Sequence, residues 1–371
     1  MIRWREGRVV ALLRQWDGAV ELEVELAAGS RCRALTYPQL TGDPEVGDRV
    51  LLNVTAAQLG LGTGGYALVV AVPDRLPPDP PSGPGHLVKG RYGPLQTVVL
   101  GVDEQQSEQH ELLRDADDLA GLPVVVADLH SALPAVLAGL RAERPDLSVA
   151  YVMTDGGALP AWFSRTIAGL RSAGWLAGCI TAGQAFGGDL EAVTLHTALL
   201  AARWVLQADV AVVCQGPGNL GTGTRWGFSG VAAGEAVNAA AVLGGRPVAA
   251  LRVSGADARP RHQGVSHHSL TAYGRVALAP CDLVVPVFGP QDDAGLAALG
   301  ATVAEQVRQL VEPLGRHREV LVPVTGLTQA LADTPVRLST MGRSPNQDPA
   351  AFLASAAAGR HAATLVARLS S

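Results

Sequence analysis

The chain is poor in lysine, in aromatic residues and in net charge, and it has no long apolar run. Aromatic side chains make up 4% of its 371 residues and charged ones 17%, with a formal net charge of −5. That balance lacks the basic footprint of a nucleic-acid binder, so nucleic acid is not the expected partner. Arg246, Arg252, Arg259 and Arg261 form one local basic group. No stretch reaches the roughly eighteen apolar residues of a membrane-spanning helix, so no membrane association is expected. The start, MIRWREGRVV, lacks the apolar core of a signal peptide. Cys32, Cys179, Cys214 and Cys281 include no CxxC pair, and the last three lie in or beside apolar strand-like runs. Reduced, mostly buried thiols in a cytoplasmic protein are the economical expectation.

Lys89 is the only lysine among 29 basic residues. A coding bias toward G and C replaces lysine wherever arginine serves as well. A position that keeps lysine then needs a compact ammonium rather than a planar fork. Chance survival explains a single lysine equally well.

What the chain has in abundance is small apolar residues: 48% of it is hydrophobic, and 43 residues are glycine. Residues 1–75 read as a small β-barrel of the OB or SH3-like kind, with short β-rich runs at 7–13, 19–26, 31–36, 49–54 and 66–72. Within it, Leu59 to Tyr66 is a glycine-rich stretch, read as a mobile connection or as a binding loop. Residues 76–85, LPPDPPSGPG, read as a stiff linker. From residue 86 to 371, apolar runs of strand length alternate with helical stretches. This predicts an α/β, Rossmann-like domain with a mostly parallel sheet and helices on both faces. Strands are expected at 97–102, 123–128, 148–154, 175–181, 209–214, 247–253, 282–288 and 319–324, with a further one at 336–339. Helices are expected at 131–144, 161–173, 190–206, 231–243, 266–277, 293–311 and 349–369. The last is so rich in alanine that it suits close packing, including at a subunit interface, and a homo-oligomer is one expectation.

In such a sheet, ligands bind beyond the carboxyl ends of the strands. The loops that follow strands are polar and glycine-rich, which outlines a cleft. The richest runs from Cys214 to Gly230, CQGPGNLGTGTRWGFSG, where six of the fifteen residues from Gly216 onward are glycine. Gly216, Gly218 and Gly221 fit GxGxxG, yet Gly223 and Gly227 delay the helix. The next acid placed to hold a ribose, Asp257, lies roughly forty residues on, where about twenty is expected. An anion cradle built from the backbone N–H groups of Gly216, Gly218, Gly221, Thr222, Gly223 and Thr224 fits better than a dinucleotide site. A structural wide turn is the alternative.

The second constellation is RPRHQGVSHH, from Arg259 to His268. Ser266 suits a helix N-cap, which puts His267 and His268 in the first turn as neutral imidazoles able to act as bases or ligands. Adjacent helical residues point about 100° apart, so His262 with one of the pair is the expected chelating combination. A hydrogen-bonded surface turn is the competing reading. Among the acids Asp128, Asp155, Asp189 and Glu191, Asp189 fits an N-cap. Asp155 has no evident cap role and is the candidate acid, base or ligand, with His130 and His262 or His267 as partners. Arg261, Lys89 and Arg343 are candidate cations for an anionic ligand, and surface charges otherwise. No cofactor or metal is identified by these patterns.

The stretches Leu59–Tyr66, GHLVKGRYGPLQ, GQAFGGDLEA, CQGPGNLGTGT, RHQGVSHHSLTAYGR and LSTMGRSPNQDPAAFLASAAAGRHA resemble a family of uncharacterised bacterial proteins, the domain of unknown function 3866. They spread over nearly the whole chain. The resemblance implies an architecture and no activity. The expectation is an enzyme that binds a small phosphorylated or carboxylated metabolite at the glycine-rich loop, with His262, His267 or His268 moving protons. The alternative is a non-catalytic nucleotide or metabolite sensor whose barrel contacts a protein or RNA.

Overall fold

The computed structural model describes residues 1–289 and 293–367. Five strands, β1 (Trp4–Trp16), β2 (Ala19–Leu26), β3 (Arg31–Thr36), β4 (Arg49–Asn53) and β5 (Ala67–Ala71), close into a barrel in the order β1-β2-β3-β5-β4. Their inward residues, among them Val9, Leu22, Val24, Val50, Leu52 and Val69, fill its core. Two single-turn helices, α1 (Pro38–Thr41) and α2 (Thr55–Gln58), lie in its connections. The proline-rich segment 76–85 has no regular structure.

Beyond it, β6 (Leu87–Lys89) and β7 (Thr97–Val99) form a hairpin, and α3 (His110–Leu113) follows. The predicted strand 97–102 therefore does not join the main sheet as a full member. Its end only bridges the sheet's edge, through the Gly101–Glu191 pairing. The main sheet holds β8 (Pro123–Val126), β9 (Val149–Thr154), β10 (Gly178–Ala182), β11 (Leu190–Ala192), β12 (Val210–Gln215), β13 (Arg246–Ala249), β16 (Asp282–Val287) and β17 (Arg318–Pro323). All eight are parallel, in the order β11-β10-β9-β12-β8-β13-β16-β17. The central strands β8, β9, β10 and β12 are apolar and buried on both faces. Val124 and Val126 face one helical layer, Val125 the other, as the period of two requires.

One layer contains α6 (Leu195–Trp204), α7 (Ala232–Val242) and α9 (Ala294–Leu314). The other contains α4 (Leu133–Glu143), α5 (Arg165–Ser172), α10 (Leu327–Ala332) and α11 (Pro349–Leu365). The alanine-rich α11 is not free for a subunit interface. Its small residues are buried inside the chain, and a Cβ on Gly139 of α4 would fall on the Ala356 carbonyl oxygen of α11. The predicted extension of α11 to residue 369 reaches beyond the described residues.

Five further expectations are corrected. The predicted helix 190–206 starts only at Leu195, because Leu190–Ala192 pairs with Ile180–Ala182 as the edge strand β11. Asp189 is accordingly not an N-cap; it accepts from the Cys179 N–H and pairs with Arg171, and Thr194 caps α6. The run 247–253 splits into β13 and β14 (Val253–Ser254), which pairs with β15 (Gly264–Val265). Residues 336–339 form no strand. The helix expected at 266–277 is α8 (His267–Thr271) followed by a π-turn at 272–276.

The barrel sits against the α/β domain through Trp162. The Trp16 indole donates to the Trp162 carbonyl at 2.7 Å, Tyr37 packs at 6.2 Å from the Trp162 ring, and Arg171 pairs with Asp17 at 2.7 Å. Lys89 fixes the β6–β7 hairpin to the edge of the sheet. It is 2% exposed, and its Nζ lies within 3.0 Å of four oxygens: Glu191 Oε2 and the carbonyls of Thr181, Ala185 and Ala192. Lys89 is thus neither a surface charge nor a ligand cation. A small ammonium directs its three N–H donors at acceptors clustered around one point, sharing them among the four, a task the planar guanidinium cannot perform.

Lys89→Met leaves Glu191 as an uncompensated buried carboxylate and should cost about 3–5 kcal/mol. Lys89→Arg should also destabilise, and adding Glu191→Gln to Lys89→Met should recover part of the loss. Urea-unfolding midpoints of the three variants check this; a neutral Lys89→Met would contradict it.

Candidate functional site

A parallel sheet sends every strand-to-helix loop out at one edge. The strand order decides which loops meet there. β12 lies between β9 and β8. The chain leaves β8 and β9 toward α4 and α5 on one face, and leaves β12 toward α7 on the other. Loops that part in this way open a crevice, the usual ligand position in an open α/β sheet.

A cleft of about 390 Å³ occupies that position. Its lining comes from four segments: Leu129–Ser131 after β8, Phe163–Thr166 after β9, Gln215–Asn219 after β12, and Ser339 with Met341 ahead of α11. The loops are held by close backbone contact. A Cβ on Gly216 would meet the Ala158 carbonyl, and one on Gly230 would meet the Asp128 backbone. Gln215 Nε2 donates to the Asp128 carbonyl at 2.8 Å and to Asn219 Oδ1 at 2.9 Å; Asn219 Oδ1 also accepts from Ser229 Oγ and the Gly230 N–H.

At the cleft wall three side chains form an ordered relay. Tyr151 OH donates its single proton toward the carbonyls of Cys214 and Gln215, at 3.2 and 3.3 Å. Its oxygen can then only accept from His130 Nδ1, 3.1 Å away. That leaves the His130 Nε2 lone pair to take the Ser164 hydroxyl proton, at 2.7 Å. Ser164 Oγ also caps α5 by accepting from the Ile167 N–H. Desolvation in its half-buried position pushes the His130 imidazole down to about 4, so it is neutral at pH 7.

The loop from Gly216 to Gly230 serves two places. Gly216 to Asn219 border the cleft, but the Gly216 N–H is bonded to the Thr154 carbonyl. The N–H groups of Gly218 and Asn219 have no partner among the described residues. Gly218 has φ of +95°, and the Gly62 carbonyl of the barrel's glycine-rich stretch lies near it. Gly221, Thr222, Gly223 and Thr224 do not line the cleft. They close a small turn in which the Thr222 N–H donates to the Gly227 carbonyl, beside Arg261. A single cradle from Gly216 to Thr224 is therefore not formed.

On the far side of that turn stand the three histidines. His262, His267 and His268 have ring centroids 4.4 to 5.0 Å apart. The pair on α8 thus converges, contrary to the divergence that ideal helical spacing predicts. Phe228 brings them together: it stacks on His268 at 3.8 Å and meets His267 edge-on at 6.1 Å. Ser266 caps α8 as expected, accepting from the His268 N–H. Burial, followed by neighbouring cations and His268, pushes His262 down to about 3; burial, then His268 and Arg261, pushes His267 down to about 4.

The acid beside these histidines is Asp128, not Asp155. Asp128 Oδ2 lies 3.7 Å from His268 Nδ1 and 3.9 Å from Arg252. Asp155 follows β9, three strand spacings or about 14 Å from β13 across the sheet. There it accepts from the Gln184 N–H at 2.8 Å. His130 likewise belongs to the cleft rather than to a metal set with Asp155. Arg343 is engaged with Asp348 and Asp257, and Arg259 with Asp257. Burial raises the thiols of Cys179, Cys214 and Cys281, the latter two to about 12, which makes them poor nucleophiles. Ser164 and Tyr151 did not stand out in the sequence. The signals they did carry were a serine opening a helix and a polar-tipped ring inside an apolar strand.

These imidazoles tie stability to pH. His130, His262 and His267 are neutral in the folded chain down to about pH 4, about 3 and about 4 respectively, and titrate near 6.5 when unfolded. Unfolding therefore takes up protons as pH falls below 6.5, and stability declines from there toward pH 4 while remaining full above 6.5. The carboxylates with lowered values, Asp48, Asp74, Asp146, Asp257 and Asp282, contribute only below about 3.8. Denaturation midpoints measured from pH 7.5 to 4.5 should show this slope, and His267→Gln should reduce it. Midpoints independent of pH across that window would refute the assignment.

No curated protein and no solved structure matches the chain. No described helix is long and apolar enough to cross a membrane. The sequence pattern of one family does match, over residues 33–359, which takes in the later part of the barrel, from within β3, and nearly all of the α/β domain. The chain belongs to that family, described as protein of unknown function DUF3866.

Proposed function

We propose that this protein is an enzyme of the acyl-transfer class that acts on a small anionic metabolite in the cleft between β8, β9 and β12, with Ser164 as nucleophile and His130 as base. The observation that carries this reading is the Ser164–His130–Tyr151 relay, in which hydrogen-bond logic leaves the Nε2 lone pair facing the serine proton. Ser164 Oγ would attack the substrate carbonyl carbon as its proton passes to His130 Nε2; the bond to the leaving group would break as His130 returns that proton to it, and water, deprotonated by the same Nε2, would then release the acyl group from Ser164. The neighbouring donors suit a developing oxyanion: the N–H groups of Arg165 and Thr166 at the start of α5, and those of Gly218 and Asn219, have no partner among the described residues. Arg165 lines the cleft, and its guanidinium, which lies over the Trp16 ring at 5.8 Å, would turn inward to supply the charge for an anionic substrate group. A proton on His130 is costly in its half-buried setting, so the reaction depends on the anion forming beside it to offset that charge.

A sensor remains the second reading, because the barrel's Gly62 carbonyl lies against Gly218 and a ligand that moved the loop would be felt there. Turnover separates the two.

Labelling with a serine-reactive phosphonate, read by peptide mass spectrometry, should modify Ser164 and should be lost in Ser164→Ala and reduced at least 10²-fold in His130→Gln. Short carboxylates or phosphates should raise the melting temperature of the wild type, and Arg165→Ala should remove that shift. An unlabelled Ser164 in a folded chain would overturn the nucleophile assignment, and a shift without turnover would favour the sensor.

A further inference from the structure

The histidine cluster lies across the loop from the cleft, and the relay does not use it. One ligand atom from each of His262, His267 and His268 falls within 4.8 Å of the others. His267 Nε2 is buried without a hydrogen-bond partner, and so is Asp128 Oδ2 on a side chain only 3% exposed. Two orphaned polar atoms on one cluster are costly unless something else satisfies them. We propose that His262, His267 and His268 bind one divalent transition-metal ion of the zinc class, and that Asp128 orients His268 behind it.

The ring positions suit this role. His262 Nδ1 is held by Ser266 Oγ at 2.7 Å, which leaves its Nε2 for an ion. Phe228 fixes the His268 ring by stacking on it. In the ion-free arrangement Arg252 donates to His268 Nδ1 at 3.1 Å, so the proton sits on Nε2. Ligation through Nε2 moves that proton to Nδ1, which must then donate rather than accept. Asp128 Oδ2, 3.7 Å from Nδ1, is the acceptor at hand, and Arg252, 3.9 Å from the same oxygen, can turn onto the carboxylate. A carboxylate behind a ligating histidine is a recurrent metal-site arrangement. The nearby positive charge is partly offset already, since Arg259 pairs with Asp257 at 2.8 Å.

The donor set selects the ion. Three imidazoles suit zinc, copper, iron or nickel, whereas magnesium and calcium require oxygen cages. Three protein ligands leave a fourth position open, as in catalytic rather than structural zinc sites. An entry path exists: a depression of about 600 Å³ lined by Arg225, His267, Thr271, Arg275, Gln306 and Gln309 reaches His267.

The test uses the metal-free, full-length chain titrated with Zn²⁺ by calorimetry and with Co²⁺ by visible absorption. One tight site per chain, with the d–d bands of a four- or five-coordinate ion, is expected. His267→Ala should weaken binding at least tenfold while circular dichroism stays unchanged, because His267 makes no hydrogen bond through its Nε2. Asp128→Asn should weaken it about 10- to 100-fold. Absence of a tight site in the wild type, or an unchanged affinity in His267→Ala, overturns the proposal. So does stabilisation by inorganic phosphate without any cobalt spectrum, which would assign the cluster to an anion.

Discussion

The amide of Gln215 is the tie on which the functional edge depends. It is the last residue of β12, and it is buried. Its Nε2 joins the Asp128 carbonyl after β8 to the Asn219 side chain in the glycine-rich loop. Asn219 in turn gathers Ser229 and Gly230 at the start of α7. One amide thereby fixes the exits of two adjacent strands and both ends of the loop between β12 and α7. The cleft lies on one side of that tie and the histidines on the other. Glycines at 216 and 230 are required because the backbones it draws together leave no room for a Cβ.

Much of the architecture was legible in the sequence because it follows from periodicity. Apolar runs in β8, β9, β12 and β16 are long enough to declare themselves as strands buried on both faces. The short edge strand β11 was not legible. Three residues cannot display a period of two, and Leu190 with Ala192 extends the apolar pattern of α6. Nor was the fate of residues 97–102, which have strand composition but pair mainly with Leu87–Lys89. Pairing partners are a tertiary property, and composition does not encode them.

The site divides in the same way. The local features were readable: Ser266 as a cap, the density of histidine, the glycine-rich loop after a strand. Relations across the sheet were not. Asp155 and Asp128 look alike in sequence, each following an apolar strand. Only the insertion of β12 between β9 and β8 puts the first far from the histidines, and only the loop register puts the second beside them. Ser164 and Tyr151 come from the end and the middle of different segments, and each has a sufficient local explanation as cap and core residue. Their joint relation to His130 exists only once β9 and α5 are packed.

Lys89 shows how a compositional signal can be sound in its chemistry and misleading in its use. The scarcity of lysine implied a position where a compact ammonium matters, and four oxygens around Nζ bear that out. Placing that ammonium against an external anion does not follow, because a cation with four internal acceptors has no hydrogen left to offer. The edge strand explains the demand instead. β11 is short, and its Glu191 is turned inward, where it accepts from Thr181 Oγ1 and the Gly187 N–H. A buried carboxylate at a weak edge needs a counter-charge, and the hairpin carrying Lys89 supplies it while covering the edge from further pairing. The lysine thus belongs to the integrity of the sheet's far margin, five strand spacings from β13 and the histidines that follow it, and the cations left for a ligand are arginines, such as Arg165 of the cleft lining.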